Sequence, residues 1–329
     1  MGLLINGVWH DRWYDTQASG GTFERESAQF RNWISRNGSS GFKAEADRYH
    51  LYISLACPWA HRTLILRHLK GLDQLISVSA VHPLMLDKGW ELRDDERFRH
   101  PGIPLGDPLY HNRLLHQLYT QARADYSGRV TVPVLWDKQL QTIVSNESAD
   151  ILRMLNREFD HLTGNQRDYY PAALQDCIER LNRFVYPWIN NGVYRCGFAT
   201  TQAAYAQAFR HLFRALDWLE HHLSRHRYLC GTQITEADWR LFTTLVRFDA
   251  VYVGHFKCNQ RRIVDYPTLS GYLRDLYQQP GIAATVNLAH IKHHYYGSHR
   301  SINPTGIVPQ GPKLDLDSPH PRNLLTDIQ

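Results

Sequence analysis

Apolar positions follow two different periods along this 329-residue chain. In the first half the runs are short and mixed. "YHLYISLA" has strand composition and predicts a strand over 50–55. "PWAHRTLILRHLKG" spaces its apolar residues for a helix over 58–70, stopped at Gly71. "LISVSAVH" predicts a second strand over 75–82, followed by a polar stretch bearing Gly and Pro at 83–109. A helix over 109–122 ("LYHNRLLHQLYTQA") comes next. Two closely spaced strands follow, "TVPVLWD" at 131–137 and "TIVSN" at 142–146, then a helix over 147–159. Beyond residue 165 the strand signals stop. Apolar residues recur at three and four in "LQDCIERLNRFVYPWI", "YAQAFRHLFRALDWLEHHL", "ADWRLFTTLVRFDAVYV" and "LSGYLRDLYQQ". "TEAD" at 235–238 has the form of a capping box, with Asp238 in place of the usual Glu.

Strand–helix–strand, then helix, hairpin and helix, is the order of a thioredoxin-like domain. The expected fold class is therefore α/β plus all-α, a thioredoxin-like N-terminal domain followed by an all-helical one. Its expected limits are an irregular extension over 1–48, the α/β domain over 49–163, the helical domain over 164–296 and an extended, Pro/Gly-rich tail over 297–329. No internal repeat or low-complexity tract interrupts this order.

Composition narrows the class of protein. A net charge of +5 is mild for this length, and the densest basic pair is "RR" at 261–262, so nothing points to nucleic acid. Cys57, Cys177, Cys196, Cys230 and Cys258 are odd in number and irregularly spaced. That is neither a disulfide framework nor a zinc pattern, and it suits a reducing cytosol. The opening "MGLLINGVWHDRWYD" lacks the basic start and apolar core of a secretory leader. No apolar run approaches the ~18 residues of a membrane span. A soluble, cytoplasmic protein is expected, with no membrane or nucleic-acid partner.

One cysteine carries candidate chemistry. Cys57 lies between the first strand and Pro58, and proline suits a first helical position because its missing amide proton costs nothing there. A thiol at that point faces unpaired amides and the positive end of the helix dipole, which lowers its pKa and makes it a nucleophile. A lone cysteine is otherwise more often a small buried hydrophobe. Position 60, where a dithiol motif would have its second cysteine, is Ala60, so a resolving thiol must come from another molecule.

Two further stretches converge on the same partner. In "VTVPVL" the Val132–Pro133 bond is expected to be cis, leaving the backbone of Val132 free to pair with an extended peptide; an edge-strand proline without a ligand is the lesser alternative. "SNES" at 145–148 stands at a strand end and helix start, where Glu147 offers a carboxylate to an ammonium and Ser148 offers amide protons to a carboxylate. Thiolate, free strand edge and helix start together suit a tripeptide with one amine, two carboxylates and a thiol. Glutathione is that tripeptide, and it supplies the missing second thiol.

With these residues assembled, "CPWAHR", "GRVTVPVLWD", "SNES", "NNGVYRCGFATTQAAY" and "LVRFDAVYVGHFKCN" resemble the glutathionyl-hydroquinone reductases, the xi class of glutathione transferases. The resemblance runs from about residue 3 to about residue 310. It implies a glutathione-transferase C-terminal domain, a homodimer, and glutathione as co-substrate with no metal. It makes Cys57 the nucleophile and Tyr194 of "NGVYR" the proton donor, with Tyr252 of "AVYVGH" and Tyr295 of "HHYYG" near the thiol. It assigns the glutathione contacts to Trp90 of "KGWEL", to Arg129, Val130, Thr131 and Val132, and to Glu147 with Ser148. Composition alone would not single out three of eighteen tyrosines. The role of Cys196, beside the tyrosine motif, stays open.

Two other classes compete with a reductase: a glutaredoxin-like thiol transferase acting on small mixed disulfides, and a non-catalytic protein of this fold that binds aromatic ligands. "HIKHH" at 290–294 and "HH" at 221–222 could hold a metal, but no cysteine or carboxylate partner falls at a ligand spacing, and both segments read as solvated helix.

Overall fold

The structure, a computed structural model, describes residues 2–324. The chain divides into two compact units. The first takes in the chain up to Trp13, Glu26–Arg167 and Ala289–His294. The second takes in Tyr14–Arg25, Asp168–Leu288 and the chain from Tyr295 on.

The first unit begins with four short strands where the sequence shows no period: β1 (Leu3–Ile5), β2 (Val8–His10), β3 (Ile34–Ser35) and β4 (Phe42–Lys43). Then come β5 (Tyr49–Ile53), α1 (Pro58–Leu69), β6 (Ile76–Ala80), β7 (Met85–Leu86), β8 (Gly89–Trp90) and α2 (Leu115–Ala122). The unit continues with β9 (Gly128–Arg129), β10 (Val134–Asp137), β11 (Thr142–Ser145), α3 (Ser148–Arg157) and α4 (Asp160–Thr163). Four strands form one sheet in the order β11-β10-β5-β6, with β5 parallel to β6 and β10 antiparallel to both of its neighbours. β1 and β2 form a hairpin that pairs with β9 in a smaller sheet. Its two-residue turn, Asn6 and Gly7, has positive φ at both positions, as the tight hairpin turn demands.

β5 is buried along its whole length. His50 on it holds Ser77 and Ser79 of β6, at 2.8 Å through Nδ1 and 2.9 Å through Nε2. Burial pushes this ring down to about 3, so it stays neutral. The helix expected over 109–122 starts late, at Leu115. The carboxylate of Asp107 accepts the amides of Leu109, Tyr110 and Asn112 at 3.0, 3.3 and 3.1 Å, which holds this segment as a capped turn.

The second unit is helical: α5 (Gln175–Val185), α6 (Gly192–Gly197), α7 (Gln202–Arg225), α8 (Glu236–Arg247), α9 (Pro267–Tyr277), and from α10 (Leu288–Ser298) its residues from Tyr295 on. Five-residue π turns, Tyr186–Asn190 and Phe248–Tyr252, follow α5 and α8. The capping box forms as expected, with the Thr235 amide donating to Asp238 at 2.8 Å. The same buried carboxylate accepts the Leu229 amide and the Tyr272 hydroxyl, at 2.9 and 2.8 Å. Arg322, buried, donates to the carbonyls of Leu223 and His226 at 2.7 Å each and to that of Arg227, closing the end of α7.

Candidate active site

Strand order brings the thiol and its expected partners to one end of the four-stranded sheet. Cys57 follows the C-terminal end of β5. Because β10 and β5 are antiparallel with Val134 opposite Tyr52, Val132 and Pro133 precede β10 at that same end. β11 runs antiparallel to β10, so Glu147 and Ser148 leave it there too. Cys57 is the N-cap of α1 with extended backbone, Pro58 is the first helical residue, and the Cys57 carbonyl accepts the amide of His61 at 3.0 Å. The thiol is half-buried, with Sγ 3.6 Å from the carbonyl oxygen of Val132. The Val132–Pro133 bond is cis. Among the described residues the Val132 amide has no backbone acceptor, leaving a strand edge with a donor to spare.

Glu147 caps α3, its Oε1 accepting the Ala149 amide at 3.0 Å, and Ser148 opens that helix, buried. Thr131 is held by Tyr119, whose hydroxyl donates to the Thr131 carbonyl at 2.8 Å. Val130 is buried beside it. The Arg129 guanidinium is turned to its own chain: it donates to the carbonyls of Arg12 and Trp13, at 2.5 and 3.2 Å, and pairs with Glu26 at 3.3 Å. Trp90 is buried and stacks on His294, rings 4.9 Å apart and 20° from parallel. His290 is buried as well, its Nε2 2.6 Å from the Phe98 carbonyl. The "HIKHH" segment is therefore not a solvated face. His290 and His294 pack inward with a ring nitrogen on a backbone carbonyl, His294 on that of Pro83 at 2.9 Å, while His293 stays half-exposed, 2.8 Å from the Ala289 carbonyl of its own helix. Among the described residues no group of three or more His, Cys, Asp or Glu side chains is placed to hold a metal.

The three tyrosines named from the sequence meet in the helical unit. Tyr194 on α6, Tyr252 at the end of the second π turn and Tyr295 on α10 form one hydrogen-bonded chain. The Tyr194 and Tyr295 hydroxyls are 2.5 Å apart, and those of Tyr252 and Tyr295 are 3.0 Å apart. Burial holds Tyr252 and Tyr295 well above the ordinary phenol range, so both stay protonated. Arg25, unremarked in the sequence, lies over the Tyr194 ring with its guanidinium carbon 5.1 Å from the centroid. Gly197 lets Phe256 approach α6, for a Cβ there would lie 2.1 Å from the Phe256 ring. Cys196 is buried beside Cys258, whose thiol is pushed far up by burial and by this neighbour. Cys230, beside Cys177, is raised in the same way.

A thioredoxin-like sheet with a helix-mouth thiol, together with a helical unit, defines the glutathione transferase class. The model of the glutathione S-transferase N-terminal domain matches residues 56–158, and that of the C-terminal domain matches 202–275. The chain is 59% identical to glutathionyl-hydroquinone reductase YqjG of Escherichia coli K12, over 98% of this chain and 99% of that protein. It is 54% identical to glutathionyl-hydroquinone reductase PcpF of Sphingobium chlorophenolicum, over 96% and 98% respectively. A xi-class glutathione transferase from Natrialba magadii superposes with a TM-score of 0.90, at 45% identity over 99% of this chain and 97% of the other. The chain therefore belongs to the glutathione S-transferase family, in its xi class of glutathionyl-hydroquinone reductases.

Proposed function

We propose that this chain reduces glutathionyl-hydroquinones to hydroquinones through a Cys57–glutathione mixed disulfide. The Cys57 thiolate attacks the glutathione sulfur of the substrate, a sulfur–sulfur bond forms and the carbon–sulfur bond breaks. The electron pair goes to the ring carbon, which takes a proton from the Tyr194 hydroxyl. A second glutathione thiolate then attacks the glutathione sulfur of the mixed disulfide, yielding oxidised glutathione and regenerating the Cys57 thiolate. The observation that carries this reading is the half-buried thiol at the mouth of α1, 3.6 Å from the Val132 carbonyl, with Ala60 in place of an internal resolving thiol.

Glutathione lies along the Val132 backbone, with its charged ends at Glu147 and at the Ser148 end of α3. Trp90, Val130 and Thr131 shape the same end of the sheet. Arg129, bonded to the Arg12 and Trp13 carbonyls, acts by holding that wall in place. Tyr252 and Tyr295, protonated, orient the Tyr194 hydroxyl. The working form is a homodimer in the cytoplasm. No helix among the described residues is long and apolar enough to cross a membrane.

The test is a turnover assay on a glutathionyl-hydroquinone beside a small glutathione mixed disulfide. Fast turnover of the aromatic substrate supports the reductase. Turnover of the mixed disulfide alone would replace it with a thiol transferase, and turnover of neither with a binding protein.

A further inference from the structure

The three tyrosines rest on a second layer of rings. Four residues beyond Tyr194, Tyr252 and Tyr295, just past the helical segments that carry them, stand Phe198, Phe256 and His299, each against its own tyrosine with ring centroids 6.1, 5.4 and 5.5 Å apart. These three rings touch one another as the phenols do: Phe198 and Phe256 are 5.0 Å apart, Phe198 and His299 5.0 Å, Phe256 and His299 5.9 Å. His299 also meets Tyr295 edge-on at 5.5 Å. Packing of this kind fixes volume but resists rotation and sliding poorly, because dispersion is non-directional.

A directional contact crosses this layer. Nδ1 of His299 lies 3.0 Å from Nε2 of His255, and both rings are buried. His255 is three residues past Tyr252, and His299 is four past Tyr295. The imidazole pair therefore repeats, one turn further along, the 3.0 Å Tyr252–Tyr295 hydroxyl contact between the same two segments. Two hydrogen bonds in succession set the spacing of these segments and their rotation. A single one sets only the spacing.

We propose that His255 and His299 are positioning residues for the tyrosine cluster, a clasp that holds the Tyr295 hydroxyl where it orders the proton donor Tyr194. This rests on Tyr194 being that donor. Burial pushes His255 down to about 4, so at neutral pH one uncharged ring donates and the other accepts.

The test compares His255→Phe with His255→Gln, whose amide reaches the place of Nε2, and His299→Phe with His299→Asn, whose amide reaches the place of Nδ1. Each Phe variant should lower kcat on a glutathionyl-hydroquinone on the order of ten- to a hundredfold. KM for glutathione and turnover of a small mixed disulfide should stay unchanged, and the amide variants should recover most of the loss. In protein carrying tyrosine labelled at the hydroxyl-bearing carbon, the Tyr295 resonance, assigned with Tyr295→Phe, should move in His255→Phe and return in His255→Gln. An unmoved resonance, or equal losses on both substrates, would overturn the clasp. Tyr194→Phe run in parallel separates the two ideas: if it keeps full activity while the resonance moves, the clasp holds and the donor assignment fails.

Discussion

At the thiol end of the sheet the setting of Cys57 is made by backbone: the Val132 carbonyl 3.6 Å from its sulfur, the start of α1, which it caps, and the start of α3 at the same end of the sheet. In the helical unit, the neighbours of Tyr194 are side chains: two phenols, Phe23, Phe198 and Phe256, and the Arg25 guanidinium. The first arrangement is written into the order of strands and helices, and a substitution there leaves most of it standing. The second exists only as long as each ring has its shape. A thiolate needs partial charges fixed in space, which a helix end supplies at no side-chain entropy. The hydroxyl proposed as proton donor needs a fixed direction, and Tyr194 stands in a bonded chain of hydroxyls.

The sharpest way to break the contrast is Cys57→Ser. Turnover should vanish while folding and glutathione binding persist, checked by steady-state assay and calorimetric titration; full activity would end the mechanism. In the unsubstituted protein, iodoacetamide should label Cys57 with an apparent pKa below the free-thiol value of about 8.5, whereas Cys230 and Cys258, pushed up by burial, should label slowly. Next comes Tyr194→Phe, which should cost on the order of 10²–10⁴-fold on the aromatic substrate and far less on a mixed disulfide, whose leaving thiolate needs no proton at carbon. Equal losses on both would reassign Tyr194 to supporting the thiolate.

Smaller effects fall on stability. Gly197→Ala drives a methyl into the Phe256 ring and should cost about 1–3 kcal/mol in denaturant unfolding, with some loss of aromatic turnover. A neutral result would mean that the ring layer is loose. Acid should weaken both units. His50 and His290 in the first and His255 in the second are held down to about 3, 4 and 4. Their folded values lie below the unfolded value of about 6.5, so their contribution is complete above that pH and lost as pH falls toward 3–4. Each ring should add a slope of about 1.4 kcal/mol per pH unit inside that window. A flat profile from pH 7 to 4.5 would show that the rings take up protons while folded.

The same contrast decides what could be read in advance. β5, α1, β6, β10, β11 and α3 were legible because strand runs, Pro58, Gly71 and "SNES" mark their ends locally, and with them the placement of Cys57, Val132 and Ser148. The late start of α2 was not, since Asp107 captures three amides that the apolar period assigns to the helix. Nor was the inward packing of His290 and His294. Histidine carries no hydropathy signal, and its acceptors, the Phe98 and Pro83 carbonyls, are about two hundred positions away. The tyrosines needed a resemblance to be named at all, and Arg25 and the His255–His299 pair gave no sign.

Arg322 ties the end of α7 to a residue 99 positions beyond the Leu223 carbonyl it binds. On the ribosome, at roughly 5–20 residues per second, that separation is about 5–20 s of synthesis. Throughout that interval the last carbonyls of the longest helix have no guanidinium to bind. The helical unit is thus finished from its far end, and a nascent chain stalled before Arg322 should expose that end of α7 to proteases that the released protein resists.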